Sequence, residues 1–193
     1  MKKITVMLVV LMTAGAFVGK AQIQRGNVLV GGDLADFKLG LNKGSEFSMR
    51  VDPKAAWFIR DNTAIGAYVD LGLSTGHNSG TNVAYGVGAL GREYLGGNAL
   101  NVLKHTRFFA EANVGIEGVN YSGGESTNGL GIGFGPGIAY FVTPNIGLEG
   151  LLKYQGILGF GTAATTSNLN LNVGFQIYLP GRGTIRNTKR DIQ

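Results

Sequence analysis

The feature that most restricts this chain is an alternation of apolar and polar residues with a period of two, repeated eight times between Asn27 and Leu179. Period two places successive side chains on opposite faces of an extended strand. A helix would instead need apolar residues three and four apart. In residues 167–179, Leu169, Leu171, Val173, Phe175, Ile177 and Leu179 share one face. Asn168, Asn170, Asn172, Gly174 and Gln176 share the other. Residues 46–57 set Phe47, Met49, Val51, Ala55 and Trp57 against Glu46, Ser48, Arg50, Asp52 and Lys54. Residues 63–74, 82–94, 106–121, 128–142 and 145–160 repeat the pattern. Residues 27–39 form a poorer eighth run, in which Gly31-Gly32 suggests a bulge or bend.

Eight strands joined in sequence make an antiparallel meander. At one end the connections at 60–62 and 143–145 are short, and residues 95–105 form a longer one. At the other end, residues 40–45, 75–81, 122–127 and 161–166 are rich in Gly, Ser, Thr and Asn, as loops are.

The N-terminus has the order of a cleaved export signal. Lys2 and Lys3 precede an apolar stretch to Gly19, and Gly19-Lys20-Ala21 offers small residues at the cleavage positions. Cleavage after Ala21 is expected. Residues 22–180 then form one barrel domain and residues 181–193 a basic tail. The chain has no Cys, which excludes a disulfide framework, a lipid-modified N-terminal Cys and thiolate metal sites. The formal charge of +5 falls to +2 without the three lysines of the leader. Arg182, Arg186, Lys189 and Arg190 in the tail, offset by Asp191, exceed that remainder. The barrel body is therefore not basic, and nucleic acid is not an expected partner.

Period two does not say which face is inside. A soluble barrel turns its apolar face inward, whereas a membrane barrel turns it to lipid. Three features favour the membrane arrangement. The polar face carries Glu46, Arg50, Asp52, Lys54, Asp70, Arg92, Arg107, Glu111, Glu117, Glu149 and Lys153, a near balance of signs that suits a closed interior. Aromatic residues gather beside the turns of one end, at Trp57-Phe58, Tyr94, Phe108-Phe109, Tyr140-Phe141 and Tyr178. Such rings suit a membrane–water interface, with Trp57, Phe108 and Tyr140 expected as its girdle. The runs also meet the length of about 9–11 residues that a tilted strand needs to span lipid. On residues 129–137, Gly at every second position leaves room for long side chains opposite. The expected fold is all-β: an eight-stranded antiparallel up-and-down transmembrane β-barrel.

Residues 172–179 have a polar-x-Gly-x-x-apolar-x-apolar spacing. This resembles the signal that outer-membrane barrels present to their assembly machinery, although here a tail follows it. Residues 57–66 and 135–149 both read as an aromatic pair, a turn with Asn, and an Ile-Gly strand start. On these segments the chain resembles the small porin-like/OmpX-like outer-membrane β-barrel family. The resemblance implies eight strands, a bacterial outer-membrane location and termini in the periplasm. Outer-membrane lipid, the assembly machinery and a protein partner in a larger complex are the partners it implies. It implies no single activity.

Candidate chemistry is sparse. His77-Asn78-Ser79 resembles the His-x-Ser spacing of outer-membrane lipid A deacylases, but no acid can be placed to orient the His. His105 lies in a turn, and two isolated His residues make no metal site. No cofactor, metal or catalytic residue is expected. Glu93 falls on the apolar face and is expected at the periplasmic rim. The expected role is structural or partner-binding, around a lumen plugged by its own polar side chains. A narrow pore for small solutes is the alternative, and a lipid-modifying enzyme a more remote one.

Overall fold

A computed structural model describes residues 23–39, 47–76, 80–95, 105–122, 126–161 and 165–181. Glu46, His77, Asn78, Ser79, the expected leader and the tail after Gly181 lie outside the described residues.

Eight strands follow one another: β1 Val28–Leu39, β2 Phe47–Arg60, β3 Thr63–Gly76, β4 Gly80–Tyr94, β5 Thr106–Tyr121, β6 Thr127–Thr143, β7 Ile146–Gly159 and β8 Thr166–Leu179. Each pairs antiparallel with the next, and β8 pairs with β1 to close the barrel. The seam runs from Val28 opposite Leu179 to Leu34 opposite Val173. Closure pairs the backbone without leaving an edge strand.

Strand extents follow the alternation closely. β2 continues three residues past Trp57, and β3 and β4 run on to Gly76 and Gly80, so the connection expected over residues 75–81 is tighter. The expected bulge at Gly31-Gly32 is not there. Both glycines stay in register with Lys54 and Pro53, and the irregularity falls between Ala35 and Lys38. A side chain at Gly31 would run into the Phe175 carbonyl and Gln176, so close strand approach explains that glycine.

The two segments that resemble each other in sequence also match in structure. Each ends a strand with a register shift, at Phe58/Arg60 and at Phe141/Thr143, before a two-residue turn. Asn62 in the first turn has φ 69°, a left-handed conformation that Asn tolerates better than most residues.

The barrel is apolar outside. Leu169, Leu171 and Val173 are 60–68% exposed, whereas most of the charged residues of the opposite face are almost wholly buried. Among the described residues no helix is long and apolar enough to cross a membrane.

Candidate functional site

The interior is the only concentration of polar chemistry the sequence pointed to, and it is layered. At the end that holds the short turns, Phe58, Tyr94, Phe109, Phe141 and Tyr178 turn inward and pack with Leu29, Ala56 and Ala139. Ring centroids of Tyr94 and Phe109 are 5.5 Å apart, and those of Phe141 and Tyr178 are 5.0 Å apart. The aromatic cluster beside these turns divides between the lumen and the outer wall. Neighbouring residues on a strand face opposite ways, so each aromatic pair is split. Trp57, Phe108 and Tyr140 are exposed on the outer wall, while Phe58, Phe109 and Phe141 go inside. Tyr94 and Tyr178 share the parity of Arg92 and Gln176 and are also inside.

The backbone holds this layer in place. Phe58 N donates to Asn27 O, Tyr94 N to Asn62 O, Phe141 N to His105 O and Tyr178 N to Asn145 O, at 2.7–2.9 Å. Four of the five inward rings therefore hang from the last rung of their strand, beside a turn or the N-terminal segment.

Next to the rings lies an ionic belt. Lys54 Nζ on β2 contacts Asp33 Oδ2 on β1 at 2.6 Å and Glu111 Oε1 on β5 at 3.0 Å. Arg92 Nη2 on β4 meets Glu111 Oε2 at 2.6 Å, and its Nη1 meets Glu149 Oε2 on β7 at 2.7 Å. The guanidinium lies 4.1 Å from the Phe109 ring centroid, a cation–π contact. Tyr94 and Tyr178 join the two layers. Arg92 Nη1 donates to Tyr94 Oη at 2.9 Å, the two hydroxyls are 2.6 Å apart, and Tyr178 Oη donates to Glu149 at 2.7 Å. Since the Tyr178 proton goes to Glu149, the Tyr94 proton goes to Tyr178, so a directed chain runs Arg92 to Tyr94 to Tyr178 to Glu149, beside the direct Arg92–Glu149 bond. Asp33 also accepts from Gln176 Nε2 across the seam, at 3.0 Å.

A third layer lies toward the loop end. Tyr68 Oη and Gln155 Nε2 donate to Glu117 at 2.6 Å and 2.5 Å. Lys153 Nζ is 3.7 Å from Asp52, and Arg50 Nε is 3.1 Å from Asp70. Asn113, Asn172 and Gln155 each bury an amide oxygen that no protein donor reaches. Hydrogen bonding in this layer is thus less complete than in the ionic belt.

The glycines of β6 make this packing fit. A Cβ at Gly137 would strike the Phe109 ring, one at Gly131 the Glu117 carboxyl, and one at Gly133 the amides of Asn113 and Gln155. The room expected from alternating Gly is therefore filled by side chains of β5 and β7.

Of the expected interior charges, Arg50, Asp52, Lys54, Asp70, Arg92, Glu111, Glu117, Glu149 and Lys153 come together. Arg107 does not. It has inward parity but sits one residue from the start of β5, half-buried, with no ion pair among the described residues. Asp33, which sequence reasoning missed, is 5% exposed and central to the belt. Its parity with the buried Ala35 was the available signal. Glu93 is exposed on the outer face, opposite Thr63 at the turn end, as expected of a rim residue. No group of three or more His, Asp or Glu suited to a metal occurs among the described residues.

On the outer wall, Ala67, Ala89, Gly91 and Ala112 floor an apolar indentation of about 790 Å³ between Trp57 and Phe134. At the loop end the lumen opens into a well of about 310 Å³.

No protein-family model matches the sequence, and no curated protein matches it. Solved structures do resemble it in fold. Neisserial surface protein A superposes with a TM-score of 0.52 at 20% identity, over 78% of this chain and 95% of its own. The outer membrane protein OprG from Pseudomonas aeruginosa gives 0.50 at 12% identity, over 83% of this chain and 99% of its own. At these identities the likeness is one of fold: the closed eight-stranded antiparallel barrel expected from the sequence.

Proposed function

We propose that this protein is an integral barrel of a bacterial outer membrane, that its lumen does not conduct, and that its role is structural or partner-binding. The observation that carries this reading is the crossing of two buried ion pairs over one layer of aromatic rings. Lys54–Glu111 and Arg92–Glu149 each join strands that are not neighbours, so they run across the lumen rather than along its wall. Opening a path would separate charges that are otherwise buried, which costs several kcal/mol per ion.

An outer-membrane location is supported by the inverted distribution of apolar residues and by the fold shared with outer-membrane proteins. Strands of 12–17 residues exceed the length that lipid demands. The reading places the termini and the short turns in the periplasm, with the longer connections outside. The aromatic layer then faces the periplasm. A structural or binding role uses no reacting group, and the interior carboxylates serve as ion-pair and hydrogen-bond partners rather than as acids or bases.

Planar-bilayer recording of the purified full-length protein tests the closed lumen. Baseline current without discrete steps is expected. Stable single-channel steps that shrink or vanish in R92M or E149Q would overturn it and favour a narrow pore.

A further inference from the structure

The well at the loop end differs from the rest of the interior. It is lined by Ser48, Ser74, Asn82, Asn168, Asn170 and Tyr121, all with inward parity and from five of the eight strands. Its one charged wall residue, Arg50, is already held by Asp70 at 3.1 Å. Asp52, Asp70 and Asn172 lie one step deeper on the same strands and are 2–5% exposed, so the well has a floor.

This set is neutral and dense in groups that both donate and accept. Each Asn offers a carbonyl oxygen and an NH₂, and each Ser a hydroxyl that rotates to suit its partner. Vicinal hydroxyls, each a donor and an acceptor, are the complement of such groups. An anion would need unpaired cations, and a metal ion would need carboxylates directed into the space. Tyr121 is 41% exposed and lines the well, as does Val119 two residues before it. Together they give an apolar face on which the C–H side of a sugar ring can rest. The volume of about 310 Å³ is at the small end of ligand pockets, which begin at roughly 300 Å³.

We propose that this well is a binding site for an uncharged polyhydroxylated ligand, a mono- or disaccharide unit entering from the loop side. The amides of Asn82, Asn168 and Asn170 hold its hydroxyls, and Tyr121 covers one ring face. The site does not depend on whether the lumen conducts, because it lies entirely on the loop side of the ionic belt.

Saturation-transfer NMR on the full-length protein in phosphatidylcholine nanodiscs, free of sugar detergents, tests this. The probes are methyl α-glucoside, methyl β-galactoside and diacetylchitobiose, with galacturonate as a charged comparison. At least one neutral probe is expected to receive saturation on its ring protons. Its affinity is expected to fall tenfold or more in N168A/N170A and, separately, in Y121A, with both variants keeping the electrophoretic mobility of the folded barrel. The proposal is overturned if no neutral probe receives saturation, if transfer is unchanged in both folded variants, or if galacturonate alone binds.

Discussion

Lys54 of β2 donates to Glu111 of β5 at 3.0 Å, although the residues are 57 positions apart and their strands are separated by two others. The bond is therefore a strut across the barrel rather than a rung in its wall. Its ammonium serves two carboxylates, since Asp33 on β1 takes the same Nζ.

Removing that strut leaves Asp33 buried without a cation and Glu111 with Arg92 alone. K54M is expected to lose about 3–5 kcal/mol of stability, the usual cost of breaking a buried pair from one side. Neutralising the carboxylate left without a cation, in K54M/D33N, is expected to recover more than half of the loss. Urea unfolding in lipid vesicles measures both. A double variant no more stable than K54M would mean that the side chains matter for shape rather than charge.

Gly137 and Phe109 form a second pair with a one-sided dependence. The ring occupies the space a Cβ would take. G137V is expected to fail to reach the folded, fast-migrating form in semi-native electrophoresis, and F109A/G137V to regain it. The coupling should lie at the upper part of the usual range of about 0.5–3 kcal/mol for residues in contact. Failure of the double variant to recover would place the need for Gly137 in the backbone.

The tyrosine pair is asymmetric. Y178F removes a donor to a carboxylate and is expected to cost about 1.5–3 kcal/mol. Y94F removes the bond to Tyr178 and one acceptor for Arg92 Nη1, but Arg92 keeps Glu149 and Glu111, so a smaller loss of about 0.5–1.5 kcal/mol is expected. Thermal unfolding of the two variants, compared side by side, reads the order. Equal losses would contradict a directed chain of bonds ending on Glu149.

Trp57 is the chain's single tryptophan, and it is 57% exposed on the outer wall near the turns. In vesicles its fluorescence is expected to be quenched by lipids brominated near the headgroup, more than by lipids brominated at the chain ends or by aqueous acrylamide. Strong acrylamide quenching alone would remove Trp57 from the interface.

The sequence shows the strands and their faces well, because period two is a local signal that each strand repeats. The Ser167–Leu179 alternation of Leu and Asn needs no neighbour to be read. Asp33 escaped because β1 is interrupted between Ala35 and Lys38, and a broken period hides parity. The split of Tyr94 and Tyr178 from Trp57 is present in their parity with Arg92 and Gln176, although all three lie beside the same turns. Which cation meets which carboxylate was not legible at all. Arg92 finds Glu149 only once the barrel has closed and its register has set the height of each strand. The same holds for the well, whose Asn168 and Tyr121 lie on strands far apart in sequence.

The seam between β1 and β8 bears on time as well as shape. Every other strand pair closes within a hairpin, but the Gln176–Asp33 bond joins residues 143 positions apart. A chain paired over only its first seven strands is a ribbon with two bare borders and an oily outer row, a template for pairing with any neighbour. Completion is therefore postponed until the C-terminus exists, and the slow, non-local step comes last. During that interval the cell must keep the ribbon apart from others of its kind.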